Sequence, residues 1–503
     1  MTRQSSFRSA TVDMQAPAMV DSVETSHSVA LPQLSKSKYL AGLQCRKRLY
    51  LEVYHPDLAT PPAPAARAAL DMGTEIGMQA RRLFPGGLLI NEGPRQRDQA
   101  LARTVSAMAD PTVPAVFEGA FQHEGIFVRV DILERLEAPS NGRSSWRLIE
   151  VKSSSRVKDV HLNDVAIQSA VVQGNGISLS ALCVMHVNTE YVYEGGEVNM
   201  SRLFTLKDVT AAVADRLCEI PRQVASLKAV LQESKPPDIE PGRHCHNPYA
   251  CPFWNHCTHD KPVRWIYYLP GSKEVSARLA EQGVSTIDDI PAGATLSPSQ
   301  RLVKENVEWI SPGLRKALQT IRYPVHHLDF ETVMLAVPRF PFTRPYQSIP
   351  VQWSNHIETE PACLTHQEFL HTEPTEPRKR WAEALIESLG CEGSICVYSP
   401  YEEAMMRQLV EAFPEFRSAF QPLFKRLVDL HQIIKDHYYH PRFNGSYSIK
   451  SVLPAMVPSL GYRDLAIQSG GQAAAEYYRM VFVETDWVER AAIRDALLRY
   501  CQR

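Results

Sequence analysis

The chain has no apolar run approaching the roughly 18 residues that cross a bilayer, so a membrane-spanning protein is not expected. Cysteine is sparse: 10 in 503 residues is far below the density of a disulfide scaffold. Residues 1–33 are polar, rich in Ser, Thr and Val, and lack the compact apolar stretch of a secretory signal. They read as disordered, and the compartment as the reducing cytoplasm, where disulfides are not expected. Charge of one sign is also lacking. The 54 basic and 56 acidic side chains leave a formal net charge of -2, which gives no global electrostatic case for a polyanionic partner. Short basic runs persist, "CRKRLY" from Cys45 and "ARRLF" from Ala80, suited to contacting phosphates or simply to facing water.

What is present is the composition of a soluble globular chain, 44% hydrophobic and 22% charged. Its length exceeds one core and suits two to four domains of about 150 residues each. "LSKSKYLAGLQCRKRLYLEVY" places a serine cap before apolar residues at helical spacing, so the fold is expected to begin near Leu34. The Pro/Ala stretch "TPPAPAAR" reads as a loop, and "LDMGTEIGMQARRLF" as a second helix. "GIFVRVDILERL" and "WRLIEVKSS" read as strands, "DVAIQSAVVQGNG" as a helix and "SLSALCVMHVN" as a further strand, together a mixed α/β core. A long amphipathic helix is expected from about Lys207 to Glu233. Residues 261–319 read as a helical connector of helix-hairpin-helix type, and "YPVHHLDFET" as the first strand of a second α/β domain over 320–503.

Three patterns carry chemistry. Asp131 lies on one expected strand, while Glu150 and Lys152, two apart on the next, share a sheet face. Two such acids make a hard oxygen site for magnesium or manganese, whose chemistry suits attack on phosphorus. Lys152 would offset charge in the transition state, and Gln168, on the following helix, would help position substrate. The plainer reading is a surface salt bridge at a strand end. The second pattern is "HCHNPYACPFWNHC", in which Cys245, Cys251 and Cys257 are evenly spaced. Three cysteines do not complete a tetrahedral site, so a fourth ligand must come from elsewhere. With His244, His246 and His256 nearby, zinc, an iron–sulfur cluster and inert thiols all stay open. Cys183, Cys218, Cys363, Cys391, Cys396 and Cys501 lack ligand spacing and read as buried thiols. The third pattern is "VHHLDFET", whose Asp329 and Glu331 share one face of a strand and give a metal two carboxylates.

Asp131 followed by "EVK" resembles the core of PD-(D/E)XK nucleases, with Gln168 where RecB-like members carry a glutamine. Glu75, in "MGTEIG", lies where that family has its early helix carboxylate. The chain departs from the pattern at Gly77, where many members have a histidine. One early cysteine with three beyond the nuclease core resembles the iron–sulfur RecB-like exonucleases, which implies a 4Fe-4S cluster on Cys45, Cys245, Cys251 and Cys257 that ties together the ends of a domain spanning 34–260. Asp329 and Glu331 are similar to the first motif of DnaQ-like exonucleases of the RNase H-like fold. Glu402 falls at the second-motif acid, usually aspartate, and "RLVDL" supplies Asp429. The last motif of that family is a tyrosine followed by an aspartate. Tyr500 is present in "LLRYCQR", and the expected acid does not appear before Arg503. The whole order, from Leu34 to Arg503, resembles a bacterial family defined by that C-terminal domain. The resemblance implies a cytoplasmic, metal-dependent DNA nuclease, exonucleolytic on single strands or ends, in repair or mobile-element defence. Two other readings stand beside it: a non-catalytic nucleic-acid-binding or redox-sensing protein built on nuclease folds, and an RNA 3′–5′ exonuclease centred on Asp329 and Glu331.

Overall fold

The computed structural model describes residues 33–136, 145–462 and 464–503. The segment 1–33, expected to be disordered, lies outside them apart from Gln33. The N-terminal unit opens with β1 (Leu34–Ser35), α1 (Lys36–Gln44) and α2 (Arg46–Tyr54). Ser35 caps α1 by accepting the Lys38 N–H, as the sequence pattern leads one to expect. "TPPAPAAR" is not wholly a loop, because α3 (Pro64–Arg81) begins inside it. Pro64 takes the first helical position, where its missing N–H costs nothing. After β2 (Leu88–Leu89) and α4 (Arg97–Ala109), β3 (Ala115–His123), β4 (Ile126–Leu136) and β5 (Ser145–Lys152) pair antiparallel. Then α5 (Asp159–Gly174) crosses over to β6 (Leu179–Val187), which runs parallel to β5, a pairing that requires such a crossover.

α6 (Met200–Leu203) and β7 (Phe204–Asp208) precede α7 (Thr210–Val230). The helix expected from Lys207 therefore starts later: Lys207 belongs to β7, paired antiparallel with β6. The sheet order is β2-β3-β4-β5-β6-β7, with β1 beside β4. One face buries Val128, Val130 and Leu148 against Val165 of α5 and Val224 of α7. The other buries Ile132, Ile149 and Met185 against Ile76 of α3. Burial on both faces explains why β5 reads as a near-continuous apolar run.

Helices α8 (Trp254–Thr258), α9 (Lys273–Glu281) and α10 (Pro298–Glu305) follow, with β8 (Trp309–Ile310) and α11 (Leu314–Leu318). The C-terminal unit begins with the antiparallel strands β9 (Val325–Met334), β10 (Ser348–Glu360) and β11 (Cys363–Leu370). Next come α12 (Arg378–Leu389), β12 (Ser394–Val397), α13 (Tyr401–Ala412), α14 (Arg417–Phe424) and β13 (Leu427–Asp429). Strands β12 and β13 are parallel to β9 and to each other, giving the order β11-β10-β9-β12-β13. α15 (Leu430–His437), β14 (Tyr438–Tyr439), α16 (Ile449–Met456), α17 (Gly470–Tyr478) and α18 (Trp487–Gln502) complete the chain. The segment 261–319 does not pack as an independent connector. Its Leu279, Ile287 and Val303 share a core with Tyr439, Phe443 and Val452, and β8 pairs with β14.

The two α/β units meet through α3 and α17 and through a bridge between Tyr193 and Thr343, and Ala336 and Val337 join the apolar layer around Ile76. Among the described residues no helix is long and apolar enough to cross a membrane. Cys183, Cys396 and Cys501 are buried as expected, but Cys218, Cys363 and Cys391 are exposed. Cys218 faces solvent on α7, while Cys363 and Cys391 sit beside turns, positions that lack of ligand spacing does not reveal.

Candidate active site

The carboxyl end of β5 gathers the first set of charges. Ladder pairing between β4 and β5 stops at Ile132 and Ile149, and beyond it Asp131 Oδ2 accepts the Val151 N–H at 2.7 Å. The strand end is thus fastened by a side chain in place of a backbone carbonyl. Glu150 is buried at 1% exposure, so its charge must be compensated within the protein. Lys152 Nζ donates to Glu150 Oε1 and Asp164 Oδ2, both at 2.5 Å, and Lys36 Nζ lies 3.0 Å from Glu150 Oε1 and 3.2 Å from Asp164 Oδ1. Gln168 Nε2 donates to Glu150 Oε2 at 2.6 Å, while the buried Gln168 Oε1 has no hydrogen-bond partner. The arrangement is a fan of three acids, two lysines and a glutamine drawn from α1, β4, β5 and α5.

Its electrostatics are uneven. Burial raises the Glu150 carboxyl, but Lys36 and Lys152 outweigh it and hold the group well below the usual range. Among the described residues Asp131 makes no ion pair, and burial together with Glu150 pushes it up to about 7. Burial and Glu150 also raise Asp164. Burial opposes both ammonium charges, yet Glu150 and Asp164 hold Lys36 and Lys152 above the ordinary lysine value. His161, on the same helix as Asp164, is lowered to about 4 by burial and by Lys152. Glu75 is engaged elsewhere: it accepts from Arg339 Nη2 at 2.8 Å and from the Tyr478 hydroxyl at 3.1 Å, an ion pair between the two units.

The second acidic set lies on β9 and its neighbours. Asp329 stays solvent-accessible in a crowded recess, where burial of its carboxyl, opposed by Lys450, brings it to about 6. Burial with Asp329 and Glu402 nearby lifts Glu331 to about 8, and burial with Asp329 and Asp429 nearby lifts Glu402 to about 7. Ser399 donates to Glu402, and Asp429 caps α15 through the Gln432 N–H. Gly470 opens α17 against this set, since a Cβ there would stand 3.4 Å from Glu331 Oε2. Tyr500, near the end of α18, is pushed far above the usual tyrosine value by burial, Glu331 and Asp329. Lys450 lies 5.5 Å from the Tyr462 ring and 5.9 Å from the Tyr500 ring.

Residues 326–448 match DUF2779, a domain of unknown function. The DUF2779 segment contains Asp329, Glu331, Glu402 and Asp429, while Lys450, Tyr462, Gly470 and Tyr500 complete the same recess from beyond it. A comparison with curated proteins finds no match.

The cysteines form a third group. Cys45, Cys245, Cys251 and Cys257 line one narrow cleft, together with His244, Phe253 and Trp254. Gln44 draws the two chain segments together by donating to the His244 and Tyr249 carbonyls, each at 2.8 Å. The Cys251 N–H donates to the Cys245 carbonyl at 2.8 Å, which curls the loop around the cleft. Of the three nearby histidines only His244 lines it; His246 packs on Trp254 and His256 on His259. Burial raises Cys245 and Cys257, and raises Cys251 to about 11. As the side chains stand, no three His, Cys, Asp or Glu groups among the described residues converge on a point able to hold one metal ion. At the first set Lys36 and Lys152 hold Glu150 Oε1 and both Asp164 oxygens, and Gln168 holds Glu150 Oε2.

Sequence reasoning brought Asp131, Glu150, Lys152 and Gln168 to one place and missed Lys36 and Asp164. Asp164 had a local signal, lying one helical turn before Gln168 on the helix behind β5. Lys36 had none, because its partner Glu150 is 114 residues away.

Proposed function

We propose that the chain is a metal-dependent nuclease acting on DNA, with Asp131, Glu150, Lys152 and Gln168 as its working centre. The observation that carries this reading is the convergence of those four side chains at the carboxyl end of β5, beside the crossover helix. Ligand sites of open α/β sheets lie at such strand ends. Asp131 and Glu150 offer hard oxygens to magnesium or manganese, and the unpartnered Gln168 Oε1 adds a further acceptor beside them. Bound there, the cation would supply charge neutralisation and an activated water for attack at phosphorus. Lys152 keeps its proton and offsets negative charge on the phosphoryl oxygens, while Gln168 fixes the orientation of Glu150.

Four thiols lining one cleft are the donor set of a 4Fe-4S cluster, and the likeness of their spacing to that of iron–sulfur RecB-like nucleases favours the cluster over zinc. The cluster would join α1 to a loop 200 residues later, offsetting the entropy of closing that loop. Digestion of end-labelled single-stranded DNA with magnesium or manganese tests the central claim. Asp131→Ala and Lys152→Ala are expected to abolish cleavage, and unchanged rates in both reject the assignment. A second reading rests on the recess of Asp329, Glu331, Glu402 and Asp429, four acids suited to a pair of cations. Loss of cleavage in Asp329→Ala alone, with RNA as the better substrate, would move the activity there.

A further inference from the structure

One half-buried charge in the acidic centre has no part in the nuclease reading. Lys36 enters the centre from the first position of α1 and pairs with Glu150 at 3.0 Å and Asp164 at 3.2 Å, the same two carboxylates that Lys152 bridges. A helix start is the positive end of the backbone dipole and disfavours a lysine, and α1 has no acid in its first turn to compensate. The carboxylates are therefore what hold this ammonium in place. The helix itself is fixed: Ser35 caps it, β1 pairs with β4 beside it, and the Cys45 N–H closes it on the Ala41 carbonyl. Only the side chain is left to move, and 24% of its surface already meets solvent.

The charge count gives the reason for moving. Asp131, Glu150 and Asp164 oppose Lys36 and Lys152, which leaves one net negative charge when all five are ionised. A divalent cation added to that set would leave a net positive charge in a buried site. Lys152 is held beside Glu150 by its position two residues along the same strand, whereas Lys36 reaches in from another element.

We propose that Lys36 is the resident counter-cation of this centre, displaced from Glu150 and Asp164 when a divalent cation is loaded and then released to contact a phosphate of the bound strand. The phosphate contact rests on the nuclease reading; the displacement does not.

The test compares Mn²⁺ binding, followed by electron paramagnetic resonance without nucleic acid, in the wild type, Lys36→Met and Lys36→Arg, each carrying Asp329→Ala so that the second acidic set does not enter the signal. Removing the competing charge is expected to tighten Mn²⁺ binding at least about tenfold in Lys36→Met, while Lys36→Arg stays within about threefold of the wild type. With single-stranded DNA and saturating Mn²⁺, Lys36→Met is expected to raise KM by a larger factor than it lowers kcat. Equal Mn²⁺ affinity in the wild type and Lys36→Met overturns the displacement, since a purely structural lysine would change stability and leave affinity alone. An unchanged KM overturns the phosphate contact. Should Lys36→Met fail to fold, Lys36→Gln, which keeps a donor toward Glu150, carries the same comparison. Tighter Mn²⁺ binding in a protein that cleaves no DNA would reject the nuclease reading and leave the counter-cation assignment standing.

Discussion

Replacing Asp131 with asparagine separates the cost of its charge from its use. Burial and the Glu150 charge raise this carboxyl from 3.8 to about 7. At about 1.4 kcal/mol per pKa unit, a rise of roughly three units is about 4 kcal/mol, and solvent screening of this partly exposed group lowers the expected figure to about 2 kcal/mol. The sign follows from proton counting. An acid with a raised folded pKa stays protonated in the native state after the unfolded chain has ionised. The Asp131 contribution to wild-type stability therefore falls as pH rises from about 4 to about 7 and is level beyond. Asparagine carries no charge, and its amide oxygen still accepts the Val151 N–H. In EDTA at pH 8 Asp131→Asn is expected to be about 2 kcal/mol more stable than the wild type, with the difference vanishing near pH 4. Urea unfolding followed by far-ultraviolet circular dichroism measures it. With Mn²⁺ added, the wild type should regain ground, because only it binds the cation well. Cleavage by the variant should fall at least about a hundredfold, no less than the loss of a residue supporting a metal ligand. A variant less stable than the wild type at pH 8 in EDTA would mean that the charge of Asp131 favours the fold, and the picture of a carboxylate strained against Glu150 would be wrong.

Three further outcomes follow from the same structure. Anaerobically purified protein is expected to contain iron and acid-labile sulfide, both lost in Cys45→Ser; elemental analysis showing stoichiometric zinc would refute the cluster. His161 is buried and lowered to about 4, so it stays neutral while the unfolded chain protonates, and its own contribution to stability should fall as pH drops from about 6.5 to about 4, set against the opposite slope from Asp131 and isolated by comparing the wild type with His161→Asn. The loss is about 3 kcal/mol for roughly 2.5 units, and a His161→Asn variant whose urea midpoints trace the same slope would assign that slope to another group. Gly393 sits at φ 78°, where a Cβ would lie 1.8 Å from the Pro324 carbonyl oxygen, so Gly393→Ala should cost about 2 kcal/mol or more in thermal or urea unfolding.

The sheet elements and the main acids were legible because both obey short periods. Glu150 and Lys152 share a face by alternation alone, and the apolar run of β5 announces a strand buried on both sides. What escaped was set by distance along the chain. The pairing of Lys36 with Glu150, and the capture of Glu75 by Arg339 and Tyr478, join residues more than a hundred positions apart and leave no local trace. The start of α3 at Pro64 was misread for a different reason. Proline breaks a helix interior but is at home in the first turn, and the stretch "TPPAPAAR" contains both possibilities. The connector failed as a separate module because its apolar face needed the aromatic residues of β14 and the turn after it to form a core.

The two acidic sets differ in how their charge is balanced, and the difference bears on what each does without a cation. In the first, two lysines lie against Glu150 and Asp164, so the site is close to neutral once Asp131 takes a proton. In the second, among the described residues Lys450 is the cation acting on Asp329 and Glu331, and burial, joined at Glu331 and Glu402 by the neighbouring carboxylates, makes Asp329, Glu331 and Glu402 hold their protons more tightly. A divalent ion entering the first set competes with an ammonium and with the proton on Asp131, whereas one entering the second competes chiefly with protons. Divalent-cation binding, followed by Mn²⁺ titration, should therefore strengthen steeply between about pH 6 and pH 8 at the Asp329 set, where three carboxyls give up protons, and less steeply at the Glu150 set, where Asp131 alone does so near pH 7 and the presence of Lys36 sets the affinity.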